Sequence, residues 1–365
     1  LAHAERHAAR LAHGRLHRIR ESAKQWHRTL RGLVTAPPPR HVAVSTSALL
    51  SLAYPDRIGL RRAGQGRRFV LRNGQGVSVD SPTLACADFI VAAELDGDRR
   101  ESRVWLGSAL SREELDLHFG EQVEREDVIE WDEQAEAVVA VRRERLGALV
   151  LTEKPLRDPD PLRVRATLVA WLKRSGVGAL PWSEASTGLR ERLGFLNLVL
   201  GAPWPAVNDE ALLASLEEWL GPRLGEFRRR SDLLRLDLGD ALLARLDWEQ
   251  RSALDDLAPT HLAVPSGSRV RVDYSTPAAP VLAVRLQEVF GLEETPRVAG
   301  GRVPVTLHLL SPAHRPVQVT RDLAGFWRTS YFDVRKEMKG RYPKHDWPED
   351  PVGAMPTKRA KRRNG

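Results

Sequence analysis

The hydrophobic period of this chain changes twice, and those changes limit what it can fold into. Up to about residue 60 the apolar residues recur at helical spacing. From Arg67 they alternate, in short runs rich in β-branched and aromatic residues: Arg68 to Arg72, Val77 to Asp80, Phe89 to Leu95, Ser102 to Leu106, Val128 to Trp131 and Ala137 to Val141. Asn73-Gly74, Asp96-Gly97-Asp98 and Asp132-Glu133-Gln134 punctuate these runs as turns. After Lys154 the segment P-L-R-D-P-D-P ends the alternation, and helical spacing returns. A helical opening, a small β domain and a helix-rich section with a few strands make an α+β multidomain chain, as 365 residues would suggest.

Local chemistry marks several element starts. Residues 3 to about 31 read as one helix, stopped by Gly32 and Pro37-Pro38-Pro39, and Ala48 to Tyr54 as a second, started by Ser45-Thr46-Ser47. Ser111-Arg112-Glu113-Glu114 is a capping box, so one helix interrupts the strands. Asp160 caps a helix whose first residue is Pro161 and whose apolar stripe reads Leu162, Ala166, Val169, Ala170 and Leu172; Ser183, Asn208 and Asp237 start three more. Trp171, Trp182, Trp204, Trp219 and Trp248 read as packing residues of this section. Thr260 to Val264 and Arg269 to Tyr274 form a hairpin about Pro265-Ser266-Gly267-Ser268, followed by an apolar run at Val281 to Val284.

About five strands with one inserted helix is the pattern of an OB-fold-like β-barrel, a fold that often takes single strands on a basic and aromatic face. Arg67, Arg68, Arg72 and Arg103 could form such a face, as could Arg142, Arg143 and Arg145. Trp105 could join them, although its size argues for the barrel core. The net charge of +8 agrees with a polyanionic partner, because it is concentrated at the ends: residues 1–40 and residues 315–365 each carry +7, which leaves the interior at −6. The last cations, Lys358 to Arg363, read as a disordered basic tail.

Catalytic chemistry is not visible. The chain has no Gly-Lys dipeptide, hence no phosphate cradle of the P-loop kind, no D-E-A-H box and no G-x-S-x-G elbow. His3 with His7, and His13 with His17, have the spacing of a helical zinc pair, but Arg6, Arg10, Arg15 and Arg18 surround them with positive charge. The expectation is no catalytic, cofactor-binding or metal site in this stretch. A single cysteine, Cys86, excludes an internal disulfide and suits a cytoplasmic setting. No apolar run reaches the roughly 18 to 20 residues that cross a bilayer, so no membrane partner is expected.

Four long words in the last third carry a resemblance: P-S-G-S-R-V-R-V-D-Y, V-R-L-Q-E-V-F-G, G-G-R-V-P-V-T-L-H-L-L-S-P and R-D-L-A-G-F-W-R-T-S-Y-F-D-V-R-K-E-M-K-G-R-Y-P-K-H-D-W-P. With A-L-L-S-L-A-Y-P-D-R-I, R-R-E-R-L-G-A-L-V-L-T-E-K-P-L and L-P-W-S-E-A further back, the chain resembles the C-terminal region of bacterial HrpB-type ATP-dependent helicases of the DEAH-box class. The resemblance implies the end of a helical bundle at 1–60, an OB-fold-like β domain at 61–157, a C-terminal α+β domain at 158–350 and a basic tail at 351–365. It also implies a parent whose upstream recA-like domains bind ATP and Mg, with single-stranded RNA or DNA as the partner. In that setting this stretch grips the strand and couples it to the motor. A stand-alone single-strand-binding module and a protein-interaction scaffold are the alternatives. Binding with little sequence preference is expected, since no base-reading constellation is visible in the spacing.

Overall fold

The computed structural model describes residues 17, 18, 20–32, 44–97 and 102–358. Residues 17, 18 and 20–32 are helical and exposed; most of the expected first helix, its histidines up to His13, and the tail beyond Lys358 lie outside the described residues. The chain forms two compact units, one of residues 1–125 and 144–152, the other of residues 126–143 and 153–365.

The first unit is built on a closed five-stranded barrel of β1 (Ile58–Arg61), β2 (Arg68–Leu71), β3 (Gly76–Val79), β4 (Phe89–Leu95) and β5 (Ser102–Leu110), in the order β1-β2-β3-β5-β4. β1 closes it by pairing antiparallel with both β2 and β4, and β3 runs parallel to β5. Strand alternation places Phe69, Leu71, Val77, Val79, Ile90, Ala92 and Val104 inside. A second apolar layer of Ile58, Phe89 and Leu110 packs on Leu115 and Phe119 of the helix Arg112–Phe119, and on Leu146 and Leu149. That helix opens with the capping box read from the sequence, Ser111 accepting from the Glu114 amide and Glu114 from the Ser111 amide.

Two of the expected barrel strands lie elsewhere. Val128–Trp131 and Ala137–Val141 belong to β6 (Glu124–Asp132) and β7 (Ala137–Leu146), which with β8 (Leu149–Pro155) form a separate sheet in the order β6-β7-β8. The fifth barrel place goes to β1, a four-residue I-G-L-R run directly after the turn at Pro55, too short to show a period. Gly59 lets the strands pack closely there: a Cβ would lie 3.0 Å from a Leu71 methyl and 3.1 Å from Ile90 Cγ1, so those side chains would have to give by a few tenths of an ångström.

In the second unit the helix Pro161–Ser175 begins at Asp160, whose carboxylate accepts from the Leu162 amide. Its buried stripe is Val164, Leu168, Val169, Trp171 and Leu172; of the expected stripe only Val169 and Leu172 are buried, while Leu162, Ala166 and Ala170 are exposed, because the packed face is centred on Leu168. Ser183, Asn208 and Asp237 cap their helices as read. Helices Glu184–Leu200 and Trp248–Leu257 are joined by Arg192, which is 8% exposed and donates to the carbonyls of Ala258 and Leu254. A five-stranded sheet, β15 (Pro316–Thr320), β14 (Thr306–Leu310), β11 (Val281–Arg285), β10 (Arg269–Asp273) and β9 (His261–Ala263), has β11 and β14 parallel in its middle. β9 and β10 are the expected hairpin, and Gly267 takes the positive φ that its turn requires. The Glu288 carboxylate ties that turn down, accepting from Ser266 at 3.0 Å and from Arg285 at 2.7 Å. Trp171, Trp204 and Trp219 are buried, as packing residues should be; Trp248 is 79% exposed, because as the first residue of its helix it stands clear of the packed turns.

Candidate nucleic-acid interface

The strand registers bring two expected residues onto one wall of the barrel. Arg68 pairs with Ser78 across β2 and β3, and Ser78 with Arg103 across β3 and β5, so the three stand in one row. Their neighbours Phe69, Val77 and Val104 point into the core, hence the row points outward. Trp105 follows Arg103 by two residues on the same outer face and is 63% exposed. The expectation of a core tryptophan therefore fails, because the alternation of β5 assigns the inside to Ser102 and Val104. The Arg103 guanidinium lies over the Trp105 indole, 5.8 Å from the ring centroid, and its Nε is 3.4 Å from an Asp80 carboxylate oxygen. Beside them is a groove of about 620 Å³ that includes Asp80, Ser81, Thr83, Trp105 and Ser108 in its lining.

Arg67 belongs to the loop of residues 62–67 that leads into β2, where Arg62 and Arg67 are exposed and Gly64 has positive φ. Arg62 was missed in the sequence, although R-R-A-G-Q-G-R-R sets paired arginines on both sides of a glycine loop. A cleft of about 670 Å³ on this loop is lined by Arg61, Arg62 and Arg112, with Asp88 paired to Arg61. The mixture of cations, an exposed indole and hydroxyls suits an anion carrying flat apolar groups.

The other expected residues stand apart from that row. Arg72 lies just past β2, where its guanidinium covers the Phe119 ring and donates to Gln122 at 2.8 Å. Arg142 and Arg143 belong to the second unit. Arg142 makes a two-pronged pair with Asp127, at 2.8 and 3.0 Å, and Arg143 donates to Glu153 at 2.5 Å. These hydrogen bonds raise both guanidinium pKa values and hold the Asp127 carboxyl below its ordinary range. Both cations therefore already have acidic partners. Among the described residues no group of three or more His, Cys, Asp or Glu could hold a metal ion, and no helix is long and apolar enough to cross a membrane.

Comparison with known proteins places these elements in a family. Residues 122–156 match the connector region of the ATP-dependent RNA helicase HrpB, and residues 219–351 match the ATP-dependent helicase C-terminal family. The chain is 40% identical over 320 residues to the ATP-dependent RNA helicase HrpB of Escherichia coli (strain K12), a match covering 86% of this chain and 39% of that protein. The crystal structure of the E. coli DExH-box NTPase HrpB is 39% identical over the same shares of the two chains, with a TM-score of 0.55. The chain thus spans about two fifths of the length of these relatives. With both the connector and the C-terminal region matched, and a solved relative of the same fold, the chain belongs to the HrpB family, as its connector and C-terminal region.

Proposed function

We propose that the barrel is of the OB type and that this chain is the auxiliary C-terminal part of an ATP-driven RNA helicase, holding a single strand and coupling it to upstream recA-like domains that bind ATP and Mg. In this reading residues 1–60 end a helical bundle, 61–157 carry the barrel domain, 158–350 the HrpB-type C-terminal domain and 351–365 a basic tail. The strand order, with β3 parallel to β5, is compatible with the OB plan. The relative's name, an ATP-dependent RNA helicase, supports the setting. One observation carries the role: an exposed tryptophan under an arginine, on a barrel wall whose other large apolar side chains mostly face the core. A base stacks on Trp105, while Arg68, Arg103 and the loop residue Arg67 take phosphates. Arg72, Arg142 and Arg143 contribute less, because they stand outside the row of Arg68 and Arg103 on the barrel wall.

Titration of the chain with labelled uridine or thymidine homopolymers at two salt concentrations tests this. Affinity should fall with salt by a log–log slope of about −0.7 per phosphate neutralised, near −3 for roughly four contacts. Absence of binding at low salt, or binding insensitive to salt, would remove the nucleic-acid role.

A further inference from the structure

The groove beside Trp105 contains more than a basic stacking wall requires. Pairing of β3 with β5 stops at Val79 and Val104, because the chain turns at Ser81 into the short helix Pro82–Ala85. Beyond that point, on the side that β3 has left, Asp80, Ser81 and Thr83 line one groove with Trp105, while β4 continues on the other side of β5. The Ser81 hydroxyl makes no capping hydrogen bond to the helix that it begins. Asp80 has one described ion-pair partner, Arg103, and that same guanidinium covers the indole. A base that stacks on the ring face covered by Arg103 displaces that guanidinium, which also frees the Asp80 carboxylate.

The geometry points to a guanine-selecting subsite, with Trp105 as the stacking surface and Asp80 as the group that reads the base edge. This rests on the nucleic-acid reading above and deepens it. Two exchanges happen together: Arg103 leaves Asp80 for a phosphate of the strand, and Asp80 accepts hydrogen bonds from the base, so that neither charge is left unpaired. An ionised carboxylate offers acceptors only. Guanine presents two adjacent donors on its Watson–Crick edge, N1–H and the N2 amino group, and so meets both oxygens in a two-pronged, charge-assisted pair. Adenine and cytosine each set one amino group beside a ring nitrogen lone pair, which would face the second oxygen. Uracil has one N–H between two carbonyls. Each of those three bases brings an acceptor against an acceptor.

The test uses the whole 365-residue chain and short uridine strands whose central base is uracil, guanine, adenine, cytosine or hypoxanthine, compared by competition anisotropy at low salt. The guanine strand should bind about fivefold more tightly than the others, the low end expected for a two-pronged contact at an exposed site. Hypoxanthine, which lacks the amino group, should fall back towards adenine, and Asp80→Asn should level the series. Equal binding of all strands by the native chain, lost in Trp105→Ala, would overturn the selection and leave the grip intact. Asp80→Asn tightening every strand alike would make Asp80 a mere counterion of Arg103, and would also overturn it. If no strand binds at low salt, the nucleic-acid reading itself falls.

Discussion

Glu114 and Ser47 lie 67 residues apart in the chain, and the carboxylate of the first accepts the hydroxyl of the second at 3.1 and 3.2 Å. Ser45, the N-cap of the helix Thr46–Ala53, donates to the same carboxylate, which also receives the amide of Ser111, the N-cap of the helix Arg112–Phe119. One side chain therefore serves the starts of two helices.

Replacing Glu114 by alanine should destabilise the chain by about 1–2 kcal/mol, the upper part of the range for a lost cap. The amide of Ser111 and the hydroxyls of Ser45 and Ser47 lower the Glu114 pKa. Because the folded pKa lies below the unfolded one, this stabilisation is fully present above the ordinary glutamate range and is lost as pH falls through the lowered value. Urea melts at neutral and acidic pH would show the gap between native chain and Glu114→Gln closing in acid. A gap independent of pH would contradict the assignment.

Trp105→Ala should leave the melting temperature nearly unchanged, since an exposed side chain is removed, while weakening single-strand binding by about 1–3 kcal/mol. Trp171→Ala removes an indole that is buried and stacked on Trp131 with centroids 4.2 Å apart, and should cost about 3–5 kcal/mol of stability. Calorimetry beside tryptophan quenching separates the two effects. A large thermal loss in Trp105→Ala would mean that its role is packing.

Charge reversal should rank the cations by whether each stands in the outward row of the barrel wall. Arg68→Glu and Arg103→Glu on the barrel wall should each weaken binding and flatten the salt slope by about 0.7. Arg142→Glu should change binding less, because Arg142 belongs to the other unit and not to that row. Titrations of the three variants at matched salt decide it, and an equal loss in Arg142→Glu would move the contact surface away from the barrel.

Arg192→Met should cost about 1–3 kcal/mol, because the carbonyls of Leu254 and Ala258 lose their buried donor while the apolar stem is kept. Asp255, also paired to Arg192, is largely exposed and can turn to water. A urea melt coincident with that of the native chain would show that these carbonyls find other donors.

Purified alone, the chain should release no phosphate from ATP in response to nucleic acid, given the absence of a Gly-Lys dipeptide. Turnover that survives repurification would reveal a site of another kind.

Starts of elements were more legible than their neighbours in space. Ser111, Asp160, Ser183, Asn208 and Asp237 cap helices through bonds to amides two or three residues on, so a few letters specify them. Membership of the barrel is a long-range property: β7 opens with as apolar a run as β4 does, and only pairing assigns one of them to the barrel and the other to another sheet. Trp105 shows the same limit. Its size argued for the core, but its parity in β5, set by Val104 packing against Phe69 and Ile90, sends it outward. The row of Arg68 and Arg103 was readable as two basic residues, whereas the placing of Asp80 against Arg103 depends on where β3 ends.

The first unit completes its core with Leu146 and Leu149, which the chain reaches only after residues 126–143 have gone to the other unit. During synthesis the ribosome therefore releases all five barrel strands before the residues that seal their open end, and it must extrude part of the second unit in between. The uninterrupted stretch that carries the whole first unit ends at Thr152, so any excised barrel takes with it the paired strands of residues 126–143, which belong to the other unit.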